Sequence, residues 1–362
     1  MKKKGLHKKL INPRAIMLDV MAKLALLAMG AAFIAASAGC AVVFNAMSRD
    51  FSAETGYVGT SAQQQYENSN EIKIISANLA HCRGPYDFYG DGRHLDELDM
   101  DLTINSPEQV YKCLDDFAEM FMREDADIVL LQEADKNAVW SYGIDFVPYL
   151  AQKAGMDYYA YGSKYDFVWW PYEHQRANGQ WIDTLYFDIG NGIISKYPIL
   201  TAGNKPFGEQ DFVGWIAGEE RYIDARISIN GRQARFISTH FGAGEIESRL
   251  MIEEAKKAGM PLVFGGTLHL VTPAALEANP SLSWCSANAM RILDDSGLFS
   301  IYMLGIDPLD RTYYTSDTQN LYWTADYIIP TNDFAITDYH VIDAELSDHK
   351  PVSATLVFNE LK

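Results

Sequence analysis

The sequence predicts one α/β domain of about 290 residues that follows an N-terminal membrane segment. From residue 71 onwards, short apolar strands alternate with amphipathic stretches, and no second shift in composition follows. Before that point, residues 24–44 form a run of 21 residues without a charge, long enough to cross a bilayer as a helix. The predicted organisation is a stub over 1–23, the apolar run over 24–44, a polar tether over 45–70 and a domain over 71–362.

The overall composition is that of a globular chain with an unusual charge. The 362 residues are 48% hydrophobic, 12% aromatic and 22% charged, which excludes disorder, collagen-like repeats and small disulfide scaffolds. The formal net charge is −18. Binding of duplex nucleic acid needs clustered Lys and Arg, so this charge argues against duplex nucleic acid as a partner.

Charge is distributed unevenly along the chain. The first 23 residues carry seven Lys or Arg and one Asp, a charge of +6, so the remaining residues together carry −24. Under the positive-inside rule the basic stub stays in the cytoplasm. We therefore expect attachment to the cell membrane through the N-terminus, with the acidic domain on the extracytoplasmic side.

The apolar run has three interpretations. An uncleaved signal anchor requires only its length and hydrophobicity. The segment Ser37-Ala38-Gly39-Cys40 instead resembles a lipoprotein cleavage box in which Cys40 is lipidated, although Ser37 stands where Leu is usual. A buried helix of a soluble protein is the third interpretation. The first two agree in placing the domain at a membrane.

Local patterns predict the elements of the domain. The sequence Ser106-Pro107-Glu108-Gln109 is a capping box with Pro at the first helical position, which predicts the start of a helix. The apolar face of this helix repeats at helical spacing over Val110, Cys113, Leu114, Phe117 and Phe121. Apolar strands are predicted over residues 72–79, 127–133, 234–239, 261–264, 326–329 and 351–358.

The cysteines do not form a disulfide framework. The four are Cys40, Cys82, Cys113 and Cys285, and no C-x-x-C spacing suggests zinc or redox chemistry. In an extracytoplasmic domain Cys82 and Cys113 could form a disulfide. Isolated buried thiols are the alternative.

Acidic, amide and imidazole side chains stand at the ends of the predicted strands. They are Asn78, Glu133, His240, Asp326 and the pair Asp348 and His349. Such ends are where α/β folds build sites, because the strand fixes the side chain while the loop beyond leaves it accessible. The sequence therefore predicts that these residues form one catalytic site.

This combination resembles the endonuclease/exonuclease/phosphatase superfamily, the deoxyribonuclease-like metal-dependent phosphoesterases, over residues 71–358. The segments that carry the resemblance are Asn78, Leu131-Gln132-Glu133, Gly190-Asn191-Gly192, Ser195-Lys196-Tyr197-Pro198-Ile199, Thr239-His240, Asp326-Tyr327-Ile328 and Ser347-Asp348-His349. The resemblance implies a four-layer α/β sandwich with two central mixed β-sheets flanked by helices.

The resemblance also implies a metal site. Glu133 is the principal ligand of Mg²⁺, assisted by Asn78 and Asp348, with Mn²⁺ or Ca²⁺ as alternative ions. Mg²⁺ is held in proteins by one or two carboxylates with further oxygen ligands and waters, which suits this set. In phosphoester hydrolysis such an ion neutralises charge on the phosphoryl oxygens.

The remaining roles that the resemblance implies concern the phosphate. His349 contacts the scissile phosphate or activates the nucleophile, and Asp326 accepts the other ring N–H of His349 and fixes its tautomer. Asn191 and His240 donate hydrogen bonds to phosphate oxygens, and His240 is a candidate general acid. These assignments are expectations for the structure.

One motif departs from the family pattern. The family closes its middle strand with G-D-x-N, whereas here Gly266 is followed by Thr267, Leu268 and His269. Thr267 takes the place of the Asp and His269 that of the Asn. Thr does not ionise near neutral pH, and general-base catalysis contributes about 10²- to 10⁴-fold. Either His269 or His349 replaces the base, or the domain is slow or inactive.

The function expected from the sequence is a membrane-tethered, extracytoplasmic, Mg²⁺-dependent phosphodiesterase or phosphatase. Its position and acidic charge favour a lipid, sugar-phosphate or nucleotide phosphoester as substrate. An inactive domain of the same fold that binds a ligand or partner is one alternative, and a nuclease is another. The sequence makes no prediction of the oligomeric state.

Overall fold

The computed structural model describes residues 51–59, 70–83, 106–169, 174–175, 179, 181–182, 185–208, 219–242, 244–278, 280, 287–302, 312–314 and 321–359. Asp50–Lys362 form one compact unit. The predictions for the stub, the apolar run and Cys40 lie outside the described residues. Within the described ranges, no helix is both long enough and apolar enough to span a membrane.

The described strands are numbered in chain order. They are β1 Glu54–Tyr57, β2 Glu71–Asn78, β3 Ile128–Asp135, β4 Tyr158–Trp169, β5 His174–Gln175, β6 Trp181–Ile182, β7 Leu185–Ser195, β8 Ile199–Pro206, β9 Arg221–Ile229, β10 Arg232–His240, β11 Leu262–Thr267, β12 Tyr313–Tyr314, β13 Leu321–Trp323, β14 Asp326–Pro330, β15 Phe334–Val341 and β16 Val352–Phe358. The helices are α1 Pro107–Arg123, α2 Phe146–Lys153, α3 Glu245–Ala258, α4 Pro273–Ala278 and α5 Ala287–Asp295, and a short 3₁₀ turn spans Ala80–Cys82.

Two mixed sheets form the centre of the described fold. One has the strand order β1-β4-β7-β3-β2-β16-β15 and the other β14-β11-β10-β9-β8. Most neighbours are antiparallel, but β2 pairs with β3 and β10 pairs with β11 in parallel. The predicted pair of mixed sheets flanked by helices is confirmed.

Strand alternation divides the core into two clusters. On β3, Ile128 and Leu130 belong to the cluster shared with the second sheet, whereas Val129 and Leu131 pack with residues of α1 and α2. Met290 of α5 belongs to the cluster that contains residues of the second sheet. Both sheets are therefore covered by helices, which accounts for strands with few polar positions.

The capping box that the sequence predicts begins α1. The side chain of Ser106 accepts from the backbone N–H of Gln109, and the side chain of Gln109 accepts from the backbone N–H of Ser106. The predicted apolar face is buried at Val110, Leu114 and Phe117. The predicted strands are all present and differ from the predictions at their ends by a few residues.

The structure differs from the sequence prediction inside the polar tether. Residues 54–57, which that prediction places in the tether, form β1 at the edge of the larger sheet, paired antiparallel with β4. Glu54 also pairs with Lys136, and its other oxygen accepts from the Tyr159 hydroxyl at 3.4 Å. A four-residue edge strand with alternating exposure lacks the apolar run by which the other strands were recognised.

A buried polar bridge joins the two sheets. Gln132 is fully buried, and its Nε2 donates to Ser238 Oγ of β10 at 2.9 Å. Ser238 Oγ in turn donates to the carbonyl oxygen of Leu131 at 2.7 Å, and Ser76 Oγ donates to Gln132 Oε1 at 3.4 Å. Buried amides that satisfy their hydrogen bonds fix register strongly, so this bridge aligns β2, β3 and β10 at one end.

Two consecutive glycines let the sheets approach beside this bridge. A Cβ on Gly265 would lie 2.8 Å from the carbonyl oxygen of Tyr327 and 2.9 Å from Leu130 Cδ1. A Cβ on Gly266, whose φ is +147°, would lie 1.7 Å from the carbonyl oxygen of Thr239. The backbone of β11 therefore has no room for a side chain where it delivers Thr267.

Replacing Gly266 by Ala is expected to destabilise the fold by about 2 kcal/mol or more, because the clash is with backbone atoms that cannot move aside. Urea unfolding of the full chain measures the change. Gly203→Ala is the matched control, since its Cβ would meet only Lys205 Cε at 3.7 Å. Equal stability of the two variants would contradict the packing described here.

Candidate active site

Parallel strand pairs bring the predicted residues to one end of the two sheets. In the first sheet Asn78 at the end of β2 pairs with Gln132 of β3. In the second, His240 at the end of β10 pairs with Thr267 of β11, and Thr267 also pairs with Asp326, the first residue of β14. The polar bridge at Gln132 holds these two sets of strand ends against each other.

A bulge in β3 directs the side chain of Glu133. The pairing of β3 with β7 shifts register between Leu131 and Ala134, and Glu133 has a left-handed φ of +49°. Simple alternation would point Glu133 to the same side as Leu131, which packs under the helices. The bulge instead leaves its carboxylate 29% exposed among polar groups. Such re-aimed side chains are frequent next to active sites.

Three imidazoles surround the Glu133 carboxylate. Oε1 lies 3.4 Å from His240 Nε2 and Oε2 lies 3.4 Å from His81 Nε2. Burial alone would raise the pKa of Glu133, but contact with His240 and the positive charge of His81 and His349 hold that pKa well below its usual range. Glu133 is therefore ionised throughout the physiological pH range.

Thr267 acts as a neutral connector where the family pattern has Asp. Its fully buried hydroxyl accepts from Asn78 Nδ2 at 3.0 Å and donates to Asp326 Oδ1 at 2.7 Å. Asn78 Nδ2 also donates to Glu133 Oε1 at 3.2 Å. A continuous hydrogen-bonded chain thus runs from Glu133 through Asn78 and Thr267 to Asp326.

His349 and Asp326 form a buried dyad, as the sequence predicts. His349 Nδ1 lies 2.8 Å from Asp326 Oδ2, and that oxygen also accepts from Thr312 Oγ1 at 2.6 Å. Both dyad residues are buried, so their attraction is little screened by water. Burial opposes the charge on His349, but Asp326 and Asp348 outweigh it and raise the pKa of His349 to about 9.

Asp348 is the second carboxylate close to Glu133. Its side chain is 24% exposed, and its Oδ1 lies 4.0 Å from His349 Nε2. Burial and the repulsion from Glu133 and Asp326 raise the pKa of Asp348, although His349 partly opposes this. The negative charge that raises the pKa of Asp348 also attracts a cation, so this group is suited to a positively charged ligand.

His240 and His269 lie edge to face at the end of β10 and just after β11. Their ring centroids are 5.0 Å apart at an interplanar angle of 71°. Burial, together with the charge of His240 and His349, lowers the pKa of His269 to about 3. His269 is therefore neutral near pH 7 and a weak base, while His240 Nδ1 is buried without a hydrogen-bond partner.

Asn191 lies apart from this network. Its Nδ2 donates to the carbonyl oxygen of Arg221 at 2.9 Å, and its Oδ1 is buried without a hydrogen-bond partner. Asn191 pairs with Gly162 of β4, and Arg221 begins β9. The amide therefore ties β7 of one sheet to β9 of the other, and its role toward phosphate stays a prediction.

The sequence interpretation missed a second histidine dyad. His81 Nδ1 lies 2.6 Å from Asp135 Oδ1, and Asp135 Oδ2 accepts from Trp140 Nε1 at 2.8 Å. The ring of His81 packs edge-on against Trp140, and its Nε2 faces Glu133. Burial would lower the pKa of His81, but Asp135 and Glu133 raise it. Glu133 thus has an oriented imidazole on each carboxylate oxygen.

The turn that carries His81 has a strained backbone. Ala80, His81 and Cys82 have φ values of +43°, +54° and +58°. Left-handed conformations of non-glycine residues cost about 1–2 kcal/mol each. The N–H of Ala80 donates to Asn78 Oδ1 at 2.9 Å, which stabilises the turn against β2. Strain of this kind concentrates at functional sites.

The donor set fits Mg²⁺ in the form that this ion prefers. Glu133 and Asp348 supply two partly exposed carboxylates, and Asn78 Oδ1 retains one lone pair beside its bond from Ala80. Among the described residues, no three or more His, Cys, Asp or Glu side chains form a group that could hold a metal ion. Mg²⁺ uses one or two carboxylates and several waters, and so needs no such cage.

Comparison with known proteins supports the fold. No family model and no curated protein matches the sequence. Among solved structures, an endonuclease/exonuclease/phosphatase from Beutenbergia cavernae is 14% identical with a TM-score of 0.52, over 80% of this chain and 72% of that one. The chain therefore has the endonuclease/exonuclease/phosphatase fold that the sequence predicts. A mannosyl-6-phosphatase of Bacteroides thetaiotaomicron is 14% identical over 79% of this chain and 100% of that chain, with a TM-score of 0.49.

The raised pKa of His349 gives a testable titration. Because its pKa exceeds the ordinary value of 6.5, His349 stabilises the fold fully below pH 6.5, and this contribution is lost as the pH rises through about 9. In Asp326→Asn the pKa of His349 should fall towards or below 6.5, since its main anionic partner is gone.

Imidazole NMR of the EDTA-treated protein measures both titrations. His340 is the internal control, because it is 41% exposed and pairs with Asp338 instead. The ring signals of His340 should be the same in both proteins. A neutral His349 in the wild-type protein at pH 7.5 would contradict the raised pKa of this residue.

Proposed function

We propose that the chain is a membrane-tethered, Mg²⁺-dependent phosphodiesterase or phosphatase that acts on the extracytoplasmic side. The observation that carries this proposal is the ionised Glu133 beside the buried His349–Asp326 dyad, at the end of the two sheets where the parallel strands terminate. The chain that carries these residues shares its fold with a solved endonuclease/exonuclease/phosphatase. The tether and the location rest on the apolar run and the basic stub of the sequence.

The proposed chemistry assigns the phosphate to the cationic side of the site. Glu133 and Asp348 would hold Mg²⁺, which would neutralise charge on the phosphoryl oxygens when bound. Asp326 holds His349 protonated with Nε2 directed away from the dyad, so His349 donates to a phosphoryl oxygen. His240 Nε2, which faces Glu133 Oε1 at 3.4 Å, donates to the same group when a phosphate binds. These fixed donors stabilise negative charge as it develops in the transition state.

The site has no strong general base to activate the attacking water. Thr267 does not ionise, and its hydroxyl is already shared between Asn78 and Asp326. Neutral His269 accepts a hydrogen bond from the water and orients it, but its pKa of about 3 makes it a poor proton acceptor. We therefore propose a slower enzyme than one with an Asp in this place.

A second candidate is a ligand-binding domain without catalysis. The observation that favours it is the neutral Thr267, which completes the hydrogen bonds of Asn78 and Asp326 and leaves no carboxylate there. The site would still bind a phosphate group through His349 and His240. Activity measurements separate the two functions.

Glu133→Gln is expected to reduce kcat/KM by about 10²-fold or more, because it removes a charge that the proposed reaction requires. The assay uses the full chain in detergent with Mg²⁺ and bis-p-nitrophenyl phosphate, sphingomyelin or single-stranded DNA. EDTA should abolish the activity and added Mg²⁺ should restore it. His340→Gln, which changes an exposed histidine paired with Asp338, is the matched control and should keep full activity.

Absence of any Glu133-dependent turnover on all three substrates would exclude the enzyme and favour the binding domain. Turnover of single-stranded DNA alone would favour the nuclease alternative. Hydrolysis of sphingomyelin alone would identify a lipid phosphoester as the substrate class.

The double variant Thr267→Asp, His269→Asn restores the usual motif. We expect kcat to rise by up to about 10²-fold, since a carboxylate is a stronger base than an imidazole with so low a pKa. His269→Asn alone is the control and should change kcat little, because the Asn side-chain oxygen can still accept a hydrogen bond from the water. A fall in kcat for both variants would instead identify His269 as the base.

A further inference from the structure

Two thiols meet behind the catalytic turn. Cys82 is the last residue of the Ala80–Cys82 turn and is 3% exposed, and Cys113 lies on the first half of α1. Both side chains pack in the core cluster beneath α1. Cys113 Sγ also donates to the carbonyl oxygen of Leu346 at 3.9 Å. The two free thiols therefore lie in the same cluster, with no bond between them.

The position of Cys82 connects this contact to the active site. Cys82 directly follows His81, whose Nε2 faces Glu133 at 3.4 Å, and the same turn donates the Ala80 N–H to Asn78. All three residues of the turn have left-handed φ values. A strained turn keeps its conformation only where its surroundings fix it, and the contact with α1 is one such restraint.

We propose that Cys82 and Cys113 form a disulfide bond in the mature protein, and that this bond locks the turn that presents His81 to Glu133. The proposal rests on the extracytoplasmic location proposed above, because disulfides persist outside the cytoplasm and are rare within it. Thirty residues lie between the two cysteines, so the bond closes a long loop and restricts the unfolded chain.

The oxidation proceeds by thiol–disulfide exchange with an exchangeable disulfide, such as that of a thiol oxidase or oxidised glutathione. Cys113 is the more exposed of the two, and its thiolate attacks the oxidant, which releases one thiol and leaves a mixed disulfide. The Cys82 thiolate then displaces the second thiol from Cys113. Two protons and two electrons leave the protein, and the oxidant becomes two thiols.

The order of attack agrees with the surroundings of each thiol. Burial and the neighbouring Cys113 raise the pKa of the Cys82 thiol well above its usual value. Cys82 is thus a poor first nucleophile. It reacts second, once the sulfur of Cys113 is held beside it without a negative charge.

Peptide mapping of the full chain tests the bond directly. The protein is extracted from membranes with N-ethylmaleimide present, digested with trypsin without reduction, and examined by mass spectrometry. We expect the peptides over 74–83 and 113–123 to be joined, at a mass lower by two hydrogen atoms than their sum. Recovery of both peptides with the maleimide attached, or pairing of Cys82 with Cys40 or Cys285, would overturn the proposal.

Thermal unfolding provides a second measurement that does not depend on activity. Reduction with dithiothreitol should lower the Tm of the wild-type chain by roughly 5–10 °C. Cys285→Ser, the matched control, should show the same decrease, whereas Cys82→Ser and Cys113→Ser should show none. A Tm that does not respond to reduction in the wild-type chain would count against the bond, whatever the outcome of the phosphoesterase assays.

Discussion

The polar bridge centred on Gln132 is the interaction on which the site depends. Its hydrogen bond to Ser238 joins the strand that carries Glu133 to the strand that ends at His240. Removing the amide would leave buried polar groups unpaired on both sheets, which costs more than the hydrogen bond contributes. Gly265 and Gly266 allow the close approach that this bridge needs. Close packing thus fixes the positions of the strand ends that carry the site.

Electrostatic balance within the site follows from this packing. Glu133 stays ionised because imidazoles contact both of its oxygens, and His349 stays protonated because carboxylates surround it. His269 is neutral because burial and its cationic neighbours lower its pKa. One small volume therefore holds an anion, a cation and a neutral imidazole, because the surroundings of each group push their pKa values apart.

The sequence predicted those parts of the site that lie on regular strands. Asn78, His240 and Asp326 follow or begin apolar runs, so their position at a common edge could be inferred from pattern alone. His81 could not, since its left-handed turn contains no glycine to signal it. Asp135 lies two positions after Glu133 on the same strand, and only its contact with His81 shows that it belongs to this site. Thr267 was recognised as a departure, but its role as a connector required the hydrogen bonds.

The bulge in β3 also limits how this part of the chain can change in length. Loops on the surface tolerate insertions and deletions, because their residues have no fixed alternation to preserve. Deletion of one residue near Glu133 would restore simple alternation and turn its charged side chain under the helices, while Asp135 would lose its alignment with His81. A substitution in this segment alters single contacts. A change of length would move Glu133 away from both the His81–Asp135 and the His349–Asp326 dyads. We therefore expect this segment to tolerate substitutions but not insertions or deletions.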